Sequence, residues 1–362
     1  MKRSIFTVIA LALTIQLPVA ARATTSTRYA ERSDQVVSAA GVKGLDIENP
    51  RGLVQVRPSS DGKIHVTAIK FVRMQRHTDA RKYADLTSVE TRSEQGRWVV
   101  RVKYPKRIEA KVNLWELFTT RGNHDLGFPL IEVQIVIEAP PALTANIRTV
   151  SGDVDVQGLA GALSLHSTSG DVTVRDAAAA VEASTVSGDL ELLHVQRAQA
   201  SSTSGDISAE DTGALSLSTT SGTIEVAAPR DTVRLTSVSG DIQTTGPLRG
   251  IEASTSSGDI SVESSSGAVR LSSLSGDIQA ALAAPLGPCT IKTTSGAVTV
   301  EASTGLNAKL DFRTTSGEME CSVPVRLQSQ SRNNLSAILG KGGALVVLQT
   351  VSGDINLTSG GN

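Results

Sequence analysis

The sequence predicts an all-β protein: a two-sided parallel β-solenoid with about 18 residues per coil, preceded by an irregular strand-rich N-terminal region. Three observations predict it. The dipeptide Ser-Gly, with Ser or Thr two residues before its Ser, recurs with Gly at Gly152, Gly170, Gly188, Gly205, Gly222, Gly240, Gly258, Gly276, Gly296, Gly317 and Gly353. Apolar residues alternate with polar ones on both sides of that dipeptide, which is strand periodicity. Aromatics make up only 3% of the 362 residues, while Gly numbers 31, so a compact aromatic-centred core is excluded and a repetitive architecture is favoured.

Residues 1–23 read as a secretory signal peptide. Lys2 and Arg3 form the basic start, Ile5 to Leu17 is an apolar run, and Ala21-Arg22-Ala23 offers small residues at a cleavage site. The expected destination is outside the cytoplasm: periplasmic, cell-envelope associated or secreted. No later stretch approaches the roughly 20 apolar residues of a transmembrane helix. No cysteine follows the leader closely and the C-terminus resembles no anchor, so retention at the envelope would need a partner.

Residues 40–144 form the irregular region that begins the solenoid. Leu45, Ile47, Gly52, Val54 and Val56 fit the coil template, with Arg51-Gly52-Leu53 where Ser-Gly-Asp would stand. Longer strand candidates follow: Lys63 to Phe71, Thr87 to Tyr104 with a turn at Gln95-Gly96, and Ile131 to Glu138. A loop is expected from Asn113 to Pro129. Residues 70–111 hold 12 Lys/Arg against 5 Asp/Glu, whereas residues 151–328 hold 10 against 21, so a near-neutral total of −1 conceals a basic head and an acidic repeat array.

Residues 145–358 are the array. Strands flank each Ser-Gly, as in Leu163 and Leu165 before Gly170 and Val172 and Val174 after it, and all the length variation falls in a looser second turn. An isolated hairpin of this size is marginal, so the units must stack, each advancing ~4.8 Å, the eleven marked coils making a rod of about 50 Å. The 36-residue interval from Gly317 to Gly353 reads as two coils, one of which lost its Ser-Gly near Asn333 and Asn334. The Gly of each tight turn is expected to supply a positive φ. Asp follows it eight times, which reads as a turn residue bonding nearby amides rather than as a Ca²⁺ ligand, since Thr223 and Ala297 interrupt the column. The Ser/Thr three residues before each Gly read as hydroxyls capping the turn. Cys289 and Cys321 fall on opposite sheets of neighbouring coils, which exceeds the usual disulfide separation unless the coil is thin there, so free thiols are expected over a disulfide.

Together the leader, the strand Ile131–Glu138 running through Pro140-Pro141 into Thr149-Val-Ser-Gly-Asp153, the serial Ser-Gly-Asp units, and Gly342-Gly343 with Thr350-Val-Ser-Gly-Asp354 carry a resemblance. They resemble the bacterial family of unknown function labelled as candidate adhesins, over most of residues 40–358. The resemblance implies an envelope-associated or secreted β-solenoid with a binding role and brings no catalytic residues.

Catalysis finds no support, because Gly-x-Ser-x-Gly, His-Glu-x-x-His and P-loop patterns are absent and the five His are scattered. No cofactor or metal is expected. The expected function is a non-enzymatic envelope adhesin or binding scaffold. An envelope-stress or surface-sensing scaffold that binds another protein is the alternative, and a polysaccharide lyase or hydrolase is the weaker third reading. The partner, an envelope polymer, lipid headgroup or envelope protein and not nucleic acid, is placed in residues 57–144, because interfaces favour aromatic and Arg anchors. The candidate contacts are Arg73, Arg76, Arg81, Lys82, Arg101, Lys103, Lys106, Arg107, Trp115, Phe118 and Phe128.

Overall fold

A computed structural model describes residues 7–9, 27–74, 77–105 and 130–360. It divides into two compact units, Met1–Ala160 and Gly161–Asn362. The leader other than residues 7–9, and the expected loop from Asn113 to Pro129, lie outside the described residues. The protein is all-β, a parallel β-solenoid with two sheets, as the repeats predict.

The first unit contains β1 (Thr7–Ile9), β2 (Thr27–Ser38), β3 (Gly44–Arg51), β4 (Val54–Pro58), β5 (Lys63–Met74), α1 (His77–Leu86), β6 (Ser88–Glu94), β7 (Arg97–Lys103), β8 (Leu130–Ala139), β9 (Thr144–Ser151) and β10 (Val154–Gln157). One sheet runs β1-β2-β5-β8-β4-β10, antiparallel as far as β8 and parallel beyond it. The other runs β6-β7-β3-β9, with only β6–β7 antiparallel. The first coil, β3/β4, is where Leu45, Ile47, Val54 and Val56 placed it, and all four are fully buried. Burying such a side chain contributes about 1.5–3 kcal/mol. Its stacking order departs from chain order, because β3/β4 lies between β7/β8 and β9/β10.

Helix α1 is not foreseen by the strand pattern. Its signal is Ala80, Tyr83 and Ala84 at helical spacing within a charged stretch. Ala80 and Ala84 pack on Val72 and Ile131, with Tyr29, Tyr83 and Tyr104 around them. Lys70 fixes the far end of the helix: its Nζ lies 3.2 Å from Glu31 and donates to the Ala84 carbonyl at 3.2 Å. That carbonyl is one of those a helix C-terminus leaves without an intrahelical partner.

In the second unit each coil pairs in parallel with the next, at a spacing of 17 or 18 residues over the first coils. One sheet brings Leu165, Ala183, Ala200, Leu217, Leu235, Ala253, Leu271 and Ile291 into a single inward column. The other does so for Val172, Leu190, Ile207, Ile224, Ile242, Ile260, Ile278 and Val298. All of these are buried.

The last coils correct two expectations. Residues 325–339 are not a coil lacking its Ser-Gly. They form an antiparallel hairpin, Val325–Gln330 and Asn334–Leu339, whose second strand runs antiparallel to Ala308–Arg313. The coil made by Ala344–Gln349 and Ile355–Ser359 then inserts between the coils on either side, so that Ile291 neighbours Leu348, which neighbours Phe312. On the other sheet Val298, Ile355 and Met319 are stacked in that order. Cys289 and Cys321 are therefore not on neighbouring coils; Cys289 pairs with Val346 and Cys321 with Leu357. Both thiols are free. Burial pushes Cys289 up to about 12, which leaves it protonated and unreactive at neutral pH.

Candidate functional site

The Ser-Gly turns hold three hydrogen-bonded columns. Within a turn, the Gly amide donates to the hydroxyl three residues earlier: Gly188 to Thr185 at 3.1 Å, Gly205 to Ser202 at 2.8 Å, Gly240 to Ser237 at 2.8 Å. The same hydroxyls donate to the Gly carbonyl of the preceding coil, as Thr219 does to Gly205 at 3.3 Å and Thr255 to Gly240 at 3.2 Å. The Asp after the Gly accepts from the amide at the same position one coil on. Asp171 accepts from Asp189 at 2.9 Å, Asp241 from Asp259 at 2.9 Å and Asp277 from Ala297 at 2.8 Å. The column thus continues where the next residue is not acidic, since only its N–H is needed.

Most of these turns require Gly for a reason other than the expected one. Of the eleven marked glycines only Gly296, Gly317 and Gly353 have positive φ (+156° to +158°), and the second turn has it at Asp176, His194, Asp211 and Ala228 (φ between +46° and +56°). At the Ser-Gly turn it is the close approach of coils that excludes a side chain. A Cβ on Gly205 would lie 1.8 Å from the Gly188 carbonyl oxygen, and one on Gly240 would lie 1.8 Å from that of Gly222. The chain of contacts from Gly276 to Gly296, Gly353 and Gly317 follows the inserted last coil.

In the first unit the structure sorts the candidate contact residues into three groups. Arg101 and Lys103 on β7 are neutralised, by Glu48 at 2.6 Å and Glu90 at 2.7 Å. The Lys103 hydrogen bond holds the Glu90 carboxyl below its usual range. Asp46 on the same outer face accepts from Asn146 at 3.0 Å, and Arg97 donates to the Leu45 carbonyl at 2.6 Å. The basic surplus of residues 70–111 is thus partly cancelled by carboxylates outside that window, including Glu31 and Glu48. Arg73, Arg81 and Lys82 are exposed and, among the described residues, have no carboxylate within ion-pair distance. Arg73 stands across from Leu130 on the outer face of β5 and β8, with Phe71 one step away; Leu130 and Phe71 are 45% and 37% exposed. Arg76, Lys106, Arg107, Trp115, Phe118 and Phe128 lie outside the described residues.

Sequence reasoning missed two features of this unit. On the outer face of β2, β5 and β8, Arg32, Asp34, Val36, His65, Thr67, Val136 and Glu138 line a shallow depression of about 230 Å³. Its groups are mutually paired: Thr67 donates to Asp34 at 2.7 Å, Arg32 lies 2.9 Å from Asp34, and His65 Nε2 lies 2.9 Å from Asp61. The Arg32 hydrogen bond lowers Asp34, and the His65 hydrogen bond lowers Asp61. Inside, fully buried Asn49 donates to the Val133 carbonyl at 2.7 Å, and Tyr104 donates to the Arg51 carbonyl at 2.6 Å. Burial raises the Tyr104 phenol far above its ordinary range, so it acts as a donor that closes the first coil. Among the described residues, no group of three or more His, Cys, Asp or Glu could hold a metal ion.

The sequence pattern of Toastrack DUF4097 matches residues 42–247 and again 200–358. The chain belongs to that family. The match begins at the first coil of the Toastrack repeat, just before β3, and ends in the inserted last coil, as the resemblance of the Ser-Gly-Asp units implied. No curated protein matches the chain. Among solved structures, a candidate lipid binding protein from Parabacteroides distasonis is 10% identical, with 91% of this Toastrack chain and 96% of that one covered and a TM-score of 0.33. A candidate adhesin from Bacteroides fragilis is 10% identical, with 92% and 98% covered and a TM-score of 0.25. A candidate cell adhesion protein from Clostridium sporogenes is 7% identical, with 91% and 100% covered and a TM-score of 0.20. No helix among the described residues is long and apolar enough to cross a membrane.

Proposed function

We propose that this Toastrack protein is exported and serves as a non-enzymatic binding scaffold of the cell envelope, with adhesion as its leading role, and that its partner meets the first unit. The observation that carries this reading is the contrast between the two kinds of surface. In the repeats, the hydroxyls and carboxylates of the tight turns bond neighbouring coils. In the first unit, Arg73, Arg81 and Lys82 stay unpaired among the described residues, and Phe71 and Leu130 are exposed beside Arg73. Cations next to exposed apolar groups suit an anionic envelope polymer or lipid headgroup.

The test is sedimentation of the purified protein with envelope fractions over a range of salt. Binding should weaken as salt rises, because exposed charges are screened beyond about 8 Å at physiological ionic strength. The triple reversal Arg73→Glu, Arg81→Glu, Lys82→Glu should weaken it roughly tenfold or more, at a few tenths to 1 kcal/mol per contact. Binding that ignores both changes would move the contact to another surface.

A further inference from the structure

Among the described residues, the outer edge of β2 is long and largely unpaired. On that side the one described neighbour is β1, Thr7–Ile9 pairing antiparallel with Asp34, Ser33 and Arg32, which is three of the 12 residues of the strand. Proteins normally blunt such an edge with Pro, a bulge, Lys or an inward-pointing charge; the inward charge of this strand, Glu31, is neutralised by Lys70. The segment Thr-Arg-Tyr-Ala-Glu-Arg-Ser-Asp-Gln-Val-Val-Ser has no Pro, Gly or Lys, and it pairs with β5 without a register shift from Thr27–Met74 to Ser38–Lys63. The strand that covers the three rungs lies within the segment read as a leader.

We propose that removal of the leader bares this edge and that a second copy of the mature chain takes it, β2 on β2, antiparallel about a two-fold axis at Ser33. The proposal rests on the export reading above. An antiparallel pair of identical strands is self-complementary only in particular registers. With Ser33 on the axis, Arg32 of each copy stands opposite Asp34 of the other, and Ala30 stands opposite Val36. Moving the axis by one residue sets Asp34 against Asp34 or Arg32 against Arg32, and like charges directly opposite are destabilising. The side chains available are suited to the contact: Arg32 and Asp34 are 57% and 43% exposed, and Val36 is 57% exposed. The inward charge of the strand, Glu31, is already paired with Lys70, and inward Gln35 already accepts from Thr91 at 2.6 Å, so neither is stranded by the junction. β1 itself is centred on Ser33, through Val8, so the edge accepts an antiparallel strand at the same place.

The experiment begins with the N-terminal residue of the protein recovered from cells, followed by its mass in solution by light scattering. A start near Thr24 and twice the single-chain mass are expected. Arg32→Asp sets Asp against Asp34 at two places and should weaken the dimer roughly tenfold or more. The swap Arg32→Asp with Asp34→Arg restores unlike pairs and should restore the dimer. A start at Met1 overturns both this proposal and the export reading. A start near Thr24 with a monomeric chain overturns the dimer alone, as does a monomer that retains another envelope protein on β2. A dimer indifferent to Arg32→Asp, or one that the swap does not rescue, overturns it too.

Discussion

A single glycine shows how the turns are held. The Gly240 Cα faces the Gly222 carbonyl so closely that any Cβ would overlap it, at 1.8 Å from the oxygen and 2.6 Å from the carbon. Both atoms are backbone and cannot rotate away. Gly240→Val should therefore force adjacent coils apart and destabilise the fold by roughly 3 kcal/mol or more, beyond ordinary overpacking. Ser272→Ala, on an outward strand position, should change stability by less than about 0.5 kcal/mol. Chemical denaturation of the two variants checks this, and equal, mild effects would contradict the close stacking of turns. The repeat of Ser-Gly was legible in the sequence as a turn that tolerates no side chain. The cause was not, because a positive φ and a close approach leave the same mark on sequence, and only the separation between coils distinguishes them. The Asp and Ser/Thr columns were legible because their hydrogen bonds depend on spacing within and between repeats, which the sequence displays.

Among the elements, α1 depends on an ion pair that the repeat pattern could not reveal. Lys70 and Glu31 are each 13% exposed by side chain, and Lys70 also caps the helix at Ala84. Lys70→Ala removes the cation, leaves a largely buried carboxylate, and leaves the Ala84 carbonyl with the Thr87 N–H at 3.1 Å as its remaining donor. The expected cost is roughly 2–4 kcal/mol. Lys70→Met with Glu31→Leu should recover most of it, since no buried charge is then left alone. Thermal melts of the single and double variants check the ordering; a double variant as unstable as the single would show that the charges are not what matters. The longer strands β5, β7 and β8 and the turn at Gln95-Gly96 were readable from alternation, and Gln95 and Gly96 have positive φ. The order in which coils stack was not, because every coil carries the same inward pattern and nothing in Ile355 or Leu357 tells which neighbours it will meet.

At the scale of the whole molecule, the charge arithmetic was a poor guide to the surface. Cations of the basic segment meet carboxylates, Glu31 and Glu48 from outside it and Glu90 from within, so the candidate contacts without an ion-pair partner among the described residues are Arg73, Arg81 and Lys82. The acidic array is likewise engaged, since its Asp column binds amides. A chelator should therefore leave the melting temperature unchanged, because no binding energy is removed. A melting temperature that climbs steeply with added Ca²⁺ would contradict that assignment. The inserted last coil sets a different condition, on the time order of assembly. Residues 308–321 leave the ribosome before residues 344–359, yet the later segment must separate them from residues 289–302. Sequential winding, in which each new coil adds to the one before, cannot complete this end. An early coil that docked in the vacant place would satisfy the same inward periodicity and would have to be expelled. This end becomes native only once residues 344–359 have arrived, so its completion waits on one late segment rather than advancing coil by coil.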